Sequence, residues 1–354
     1  MKLRLNKILF LLLSITVLYG KNIKYANFDI HTLTIPKDGL LVNTGYLISN
    51  DNIDIFHLRD SSLGNSVSNL NGFEFEALYG ISDNMMMGYR VAREELGYNS
   101  YTLTNTKNDI FFRYHLFDNK LAKFNSGVSI DIGFVNNTMD DLYLTNISDI
   151  NSMAKRYFPG KNIYIKQEDD GRLKLYKGNQ YSNLKYYPWI GLENTNDNSF
   201  YLRAISGFYK KDNYIDFFVG AKRTHIKSQL VANQELTHLA SLNGYTLQKN
   251  LDRYENMFFG GISVACEIKN FILEGKYEYD LFQRESNLGY INSNHIIDLS
   301  LDYKLTKHLL VYTSAKVMLN QLNGQIPYLY NQYTQTTFDH KYGYAKFGFV
   351  YYFK

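Results

Sequence analysis

The sequence predicts an all-β fold, a transmembrane antiparallel up-and-down β-barrel with long extracellular loops and short periplasmic turns. Three observations predict it: an aromatic content of 16% with 32 Tyr and 23 Phe, a mean hydropathy of −0.32, and segments of about ten residues that alternate polar and apolar side chains. Barrels combine polar loops and a polar lumen with an apolar lipid face, so their mean hydropathy resembles that of a soluble protein. The segments predict about fourteen strands, with twelve as the second choice.

The C-terminal strand shows the alternation most clearly. Phe347, Phe349, Tyr351 and Phe353 occupy every second position, so these aromatic side chains share one face of a strand. The stretch resembles the closing strand of Gram-negative outer-membrane β-barrels, in which alternate apolar residues and a final aromatic residue form the assembly signal. The resemblance implies an outer-membrane protein whose partners are lipid, lipopolysaccharide and the barrel-assembly machinery. Lys354 departs from the pattern, because it follows the expected final Phe.

Residues 1–20 carry the pattern of a secretory signal peptide. Basic residues near the start are followed by an apolar run that ends at Leu18 and by Gly20. The run is shorter than the roughly 20 residues that a membrane-spanning helix needs. We therefore expect an exported chain, with residues 21–38 as a periplasmic lead-in and residues 39–354 as a single barrel domain.

Composition limits the classes of function. The net charge is +4, and most of it lies in the signal peptide. There is no long basic run, so nucleic acid is not an expected partner. Cys266 is the single cysteine, which excludes an intramolecular disulfide, and no neighbouring His or cation activates it as a nucleophile. The sequence leaves a homo-oligomer open.

Thirteen segments show the alternation of a strand. They are residues 39–49, 72–80, 85–93, 108–117, 125–135, 186–194, 200–209, 214–227, 256–267, 271–282, 294–303, 308–319 and 342–354. A barrel with both termini in the periplasm has an even number of strands, so we assign a fourteenth to residues 161–167. This strand lies inside the longest irregular stretch, 136–185, which also predicts a short helix at 148–157. A second short helix is predicted at 230–242.

Charged residues between apolar ones are predicted to face the lumen, because an ionised side chain is costly in lipid. The candidate pore-lining residues are Glu74, Glu76, Arg90, Arg113, His115, Asp131, Arg203, Glu274, Lys276, Glu278, Asp298 and Asp302. Asp216, Lys222, Asp280 and Lys316 are further inward charges. Both signs are present, which indicates either a pore wall that sets ion selectivity or ion pairs that fill the lumen and stiffen the wall. The sequence leaves both interpretations open.

The predicted function is a porin-like channel for passive diffusion of small polar solutes, with stretch 136–185 as a constriction if it folds inward. The alternatives are a non-conducting structural or surface-interaction barrel and an outer-membrane hydrolase of the lipase or protease type. There is no Gly-x-Ser-x-Gly motif, and His295 and Ser300 lie on opposite strand faces. Glu235 and His238 offer only two metal ligands. We therefore expect no enzyme, cofactor or metal, and assign no catalytic residue.

Overall fold

The structure is a computed structural model of the chain. It describes residues 30–49, 67–98, 101–121, 124–157, 160–210, 213–242, 244, 246–247, 249–285, 288, 291–320, 322–331 and 341–353. The predicted signal peptide lies outside the described residues, as does Lys354. Within these ranges, no helix is both long enough and apolar enough to cross a membrane.

Strands dominate the described part of the chain. In chain order the elements are β1 (Leu40–Ser49), β2 (Val67–Ser82), β3 (Met85–Tyr98), β4 (Tyr101–Leu121), β5 (Phe124–Met139), β6 (Leu142–Leu144), α1 (Ile147–Tyr157), β7 (Ile163–Gln167), β8 (Leu173–Lys177), β9 (Gln180–Asn183), β10 (Ile190–Lys210), β11 (Asn213–Ala232), α2 (Gln234–Leu242), β12 (Arg253–Ile268), β13 (Phe271–Gln283), β14 (Ser293–Lys304), β15 (Leu309–Met318), a 3-10 helix (Pro327–Leu329) and β16 (Tyr342–Phe353).

Twelve of the described strands close into an antiparallel barrel. Each pairs with its neighbour in the chain, β5 pairs with β10 across the inserted elements, and β16 pairs with β1 to complete the ring. The short strand β6 adds to β10 outside this ring. The all-β antiparallel barrel is therefore confirmed, whereas the expected count of fourteen strands is wrong and the second choice of twelve holds for the described residues.

Two segments explain the wrong count. Residues 190–194 of the predicted strand 186–194 and the whole predicted strand 200–209 belong to one strand, β10, whose pairing with β11 shifts register between Glu193 and Asn196. The sequence predicts a turn between them, yet Thr195, Asp197 and Ser199 are buried on the lumen side, and each hydrogen-bonds to a neighbouring strand. A strand that faces a polar lumen can contain a run of polar residues. Such a run has the same composition as a turn, so the sequence pattern predicts a turn there. The expected fourteenth strand, 161–167, corresponds to β7, which lies in the separate sheet β7–β8–β9.

The insert between β5 and β10 forms a small unit of its own. Its helix α1 lies where residues 148–157 predict it. The second predicted helix, 230–242, is found outside the insert, because α2 lies between β11 and β12 and covers the C-terminal part of that range. The side chain of Asn151 on α1 joins the helix to β7, because it accepts a bond from the Ile165 amide at 2.6 Å and donates to the Ile165 carbonyl at 2.7 Å. Apolar residues of β7 and β8 belong to the same buried cluster as Ile150 of α1.

The outer surface of the wall is apolar. On β16, Phe347 and Phe349 are exposed, whereas the interleaved Val350 and Tyr352 are buried inside the barrel. The same alternation exposes Phe, Tyr, Ile and Leu side chains on other wall strands, so an apolar surface surrounds the barrel. This is the surface that a barrel presents to lipid. The predicted faces of the closing strand are confirmed.

The two ends of the barrel differ in their connections. The links β2–β3, β4–β5, β10–β11, β12–β13 and β14–β15 are short and lie at the same end as the start of β1 and the finish of β16. We name this the short-turn end and the opposite one the long-loop end.

Candidate functional site

Wall side chains close the lumen at the short-turn end. Inward positions on most strands carry apolar residues, which form one buried cluster together with Ile35, a residue that precedes β1. Its members are Ile35, Leu41, Leu78, Met86, Phe111, Tyr214, Ala265, Ile272, Leu310, Tyr312, Val350 and Tyr352. We name this cluster the short-turn layer. Close packing of such side chains leaves few voids large enough for water, so the layer seals this end.

Residues 30–38, the described part of the predicted lead-in, run inside the lumen next to this layer. We name them the N-terminal segment. The His31 ring lies fully buried, with Nδ1 2.7 Å from Asp216 Oδ2, and it stacks on Tyr214 with 4.5 Å between ring centroids. Arg113 Nη1 donates to the Leu33 carbonyl at 3.3 Å. The segment is therefore attached to the wall by charged and aromatic contacts.

A different segment closes the long-loop end. Residues 322–331, here the loop segment, precede β16 and include buried Leu322, Ile326, Leu329 and Tyr330. They share one apolar cluster with wall leucines of β1 to β4 and with apolar residues of the insert. The insert therefore contributes to the cover, but the residues at the barrel mouth come from a stretch in which the sequence predicts only a loop.

Polar contacts fix the loop segment in the barrel mouth. Arg253 Nη2 donates to the carbonyls of Pro327, at 2.8 Å, and Tyr330. Tyr328 Oη donates to Asn105 Oδ1 at 2.5 Å. Two of these three acceptors are backbone carbonyls. The contacts of Arg253 therefore depend on the backbone conformation of the loop segment and not on charged side chains within it.

A charged cavity of about 210 Å³ lies between the two closures, and we name it the chamber. Its ionisable lining residues are Glu74, Arg90, Glu94, Lys107, Asp109, Arg203, Lys222, Lys276, Glu278, Asp280 and Lys316. A cavity of about 60 Å³ shares part of this wall, including Glu74 and Lys276. From the short-turn end to the long-loop end, the described lumen therefore contains an apolar layer, the charged chamber and a second apolar layer.

The twelve candidate residues divide into three groups. Five line the chamber, namely Glu74, Arg90, Arg203, Lys276 and Glu278. Three line only the smaller cavity, namely Glu76, Glu274 and Asp298. The remaining four, Arg113, His115, Asp131 and Asp302, are buried and line neither of these cavities. A role in a pore stays a prediction for all twelve residues.

Ion pairs fill much of the lumen. Asp131 accepts from two arginines on the flanking strands, from Arg113 Nε at 2.7 Å and from Arg203 Nε at 3.0 Å. Nearer the chamber, Lys346 Nζ lies 3.1 Å from Glu74 Oε1. Ion pairs therefore occur both in the wall and in the chamber. Four cations of the chamber lining also take part in them, namely Arg90, Arg203, Lys276 and Lys316. Ion selectivity of the wall stays a prediction.

Sequence reasoning missed Glu94, Lys107 and Asp109 as inward residues. The expected strands stop at residue 93 and resume at 108, but β3 and β4 continue past these limits and pair up to Tyr98 and Tyr101. The intervening polar sequence resembles a loop. A prediction of longer strands would have placed Glu94 and Lys107 in the lumen. Asp109 lies inside the predicted strand 108–117, on the same face as Arg113, and alternation alone could have assigned it.

The insert carries a polar pair outside the wall. Tyr176 Oη donates to Glu168 Oε1 at 2.5 Å. This bond raises the pKa of Tyr176 to about 12 and lowers the pKa of Glu168, because it favours the neutral phenol and the ionised carboxylate. Near neutral pH the pair is therefore a phenol bound to a carboxylate.

Comparison with known proteins yields structural neighbours only. No family model matches the chain, and no curated protein matches it. Similar solved structures include the translocator domain of the autotransporter NalP from Neisseria meningitidis, with 7% identity, a TM-score of 0.44, and coverage of 89% of this chain and 88% of that chain. Outer membrane phospholipase A from Escherichia coli has 11% identity, a TM-score of 0.34, and coverage of 94% and 98%. The NanC porin has 8% identity, a TM-score of 0.40, and coverage of 88% and 98%. These neighbours are outer-membrane β-barrels.

Proposed function

We propose that this protein is a gated, porin-like channel of the outer membrane for passive diffusion of small polar solutes. The observation that carries the proposal is the chamber, a cavity lined by ionisable groups of both signs between two closures. Solutes would cross when the loop segment leaves the mouth. Selectivity would come from the radius of the lumen and from the charges of the chamber.

The charged lining supports transport over a purely structural barrel. Buried ion pairs are often replaced by apolar residues of similar volume without loss of stability. A barrel that needs only a rigid wall can therefore fill its centre with apolar side chains, as this one does at both ends. A charged cavity between those ends is explained by a polar solute that crosses it.

We also propose a cellular location and an orientation in the membrane. The short-turn end faces the periplasm and the long-loop end faces the exterior of a Gram-negative bacterium. Residues 1–20 direct export, and the aromatic positions of β16 are read by the barrel-assembly machinery. The apolar outer surface contacts lipid and lipopolysaccharide, and no catalytic role is assigned.

A non-conducting barrel is the second candidate. The short-turn layer favours it, because that layer consists largely of wall side chains and not of a removable segment. Opening this end requires rotation of side chains such as Tyr312 and Tyr352. In this candidate the insert and the other long loops contact partners, and the chamber is a trapped polar cavity.

Single-channel recording in planar bilayers tests the proposal, with wild-type protein and Arg253→Ala compared under two salt gradients. The substitution removes the donor to Pro327 and Tyr330, so we expect longer and more frequent openings than in the wild type. Arg172→Ala, an exposed change on the insert, is the control and should behave as the wild type.

A reversal potential in the open events would give the charge preference of the lumen. Absence of conductance in both proteins, while each runs as a folded, heat-modifiable barrel, would overturn the channel proposal and favour the non-conducting barrel.

A further inference from the structure

The charges of the chamber are unequally paired. Arg90, Arg203, Lys276 and Lys316 each lie within 4.0 Å of a carboxylate oxygen, so a carboxylate of the wall balances each of them. Such pairs hold the wall and leave little capacity for a ligand. The remaining lining charges determine what the chamber can bind.

Two lysines of the chamber lack such a carboxylate. Lys107 on β4 has no hydrogen-bond or ion-pair partner among the described residues. Lys222 on β11 donates to the Gly324 carbonyl at 3.1 Å, and no carboxylate in the described part of the chain pairs with it. Asp109 and Glu94 line the same chamber, but neither is in ion-pair contact with Lys107 or Lys222. Ammonium groups without a contacting carboxylate favour an anionic guest, because the interaction is stronger away from bulk water.

A buried hydrogen-bond acceptor lies in the same chamber. Asp280 on β13 is 3% exposed, and its Oδ1 has no hydrogen-bond partner among the described residues. The neighbouring inward residue Glu278 is occupied by Lys276, with 3.1 Å between Oε2 and Nζ. A buried acceptor without a donor is costly, so a guest that donates a hydrogen bond at Asp280 removes that cost.

We propose that the chamber binds small zwitterions of the free amino acid class. The carboxylate of the guest lies at Lys107 and Lys222, and its ammonium group donates to Asp280 Oδ1. The chamber volume of about 210 Å³ holds several waters and therefore has room for a guest as small as a free amino acid. The inference rests on the proposed channel function and names its substrate class.

Binding would also act on the gate. Lys222 supplies the contact to Gly324 in the loop segment. A guest carboxylate competes with the Gly324 carbonyl for the same ammonium group, and a carboxylate is the stronger acceptor. Occupation of the chamber therefore weakens one contact that keeps the loop segment in the mouth.

Saturation-transfer NMR on the refolded, detergent-solubilised protein tests the inference without requiring conductance. The probes are L-alanine and propionate, which differ by the ammonium group. We expect wild-type protein to bind alanine about tenfold more tightly than propionate, as one charge-assisted hydrogen bond predicts. Lys107→Gln should weaken both probes, whereas Asp280→Asn should weaken alanine alone. Lys166→Gln, on exposed β7, is the control and should change neither affinity.

Equal affinity for the two probes, or no alanine binding by folded wild-type protein, would overturn the inference. If Asp280→Asn does not fold, Lys107→Gln still tests the anion site, because Lys107 has no partner to lose among the described residues. The channel proposal and the binding site can be contradicted independently. A barrel that binds alanine but never conducts would contradict the channel and support the site. A conducting barrel without alanine binding would contradict only the site.

Discussion

The two closures of the lumen are built differently. At the short-turn end, the N-terminal segment contacts charged wall residues, including Asp216 and Arg113, and adds Ile35 to a layer that the wall otherwise supplies. At the long-loop end, the loop segment is held by Arg253 through backbone carbonyls and by burial of its own apolar residues. One closure is therefore part of the barrel core, and the other is a loop that lies in the mouth.

This difference indicates which end can open. The loop segment lies between β15 and β16, so its departure breaks no pairing between the strands of the wall. Departure of the N-terminal segment would leave the apolar wall residues of the short-turn layer in place and would separate His31 from Asp216 in the interior. We infer that the long-loop end is the gate and that the short-turn end stabilises the fold.

The largest expected effect tests the charged core beside the short-turn end. Asp131→Ala leaves Arg113, which is fully buried, without its carboxylate, and should lower the free energy of unfolding by about 3–5 kcal/mol in urea titrations. Asp170→Ala removes an exposed partner of Arg172 on the insert and should cost about 0–1 kcal/mol. A similar small loss for both variants would mean that the end is not a rigid core.

The wall between the ends gives the intermediate effect. Phe349→Arg places a charge on the outward face of β16 and should lower the free energy of unfolding in lipid by about 2–4 kcal/mol if this position lies at mid-bilayer. Phe353→Arg, at the barrel edge, should cost about 0–1 kcal/mol. A neutral result for Phe349→Arg in a vesicle-refolded protein would contradict lipid contact at this face.

The smallest effect is expected at the long-loop end. Tyr328→Phe removes the hydroxyl that donates to Asn105 and should lower the free energy of unfolding by about 1 kcal/mol. Closed intervals in single-channel records should also shorten, because the loop segment loses one attachment. Tyr181→Phe, on exposed β9, serves as the control and should alter neither quantity. A loss as large as that of Asp131→Ala would remove the distinction between the two ends.

Side-chain alternation by itself determined the wall of the barrel. The faces of β16 and the inward positions of Glu74 and Glu76 follow from a period of two residues, which is a local property of an extended chain. The limits of the strands were harder to predict from the sequence, because a strand that faces a polar lumen on one side can consist largely of polar residues. Residues 94–107 and 195–199 were read as loops for this reason.

Only the tertiary structure decided what fills the lumen. The N-terminal segment and the loop segment have no periodic pattern, and their positions depend on contacts between residues far apart in the chain, such as His31 with Asp216, which are 185 positions apart. The surroundings of Lys107 and Asp280 are likewise set by where distant strands meet once the ring has closed. A sequence specifies which side chains point inward, whereas the closed barrel decides which of them find a partner and which remain available to a solute.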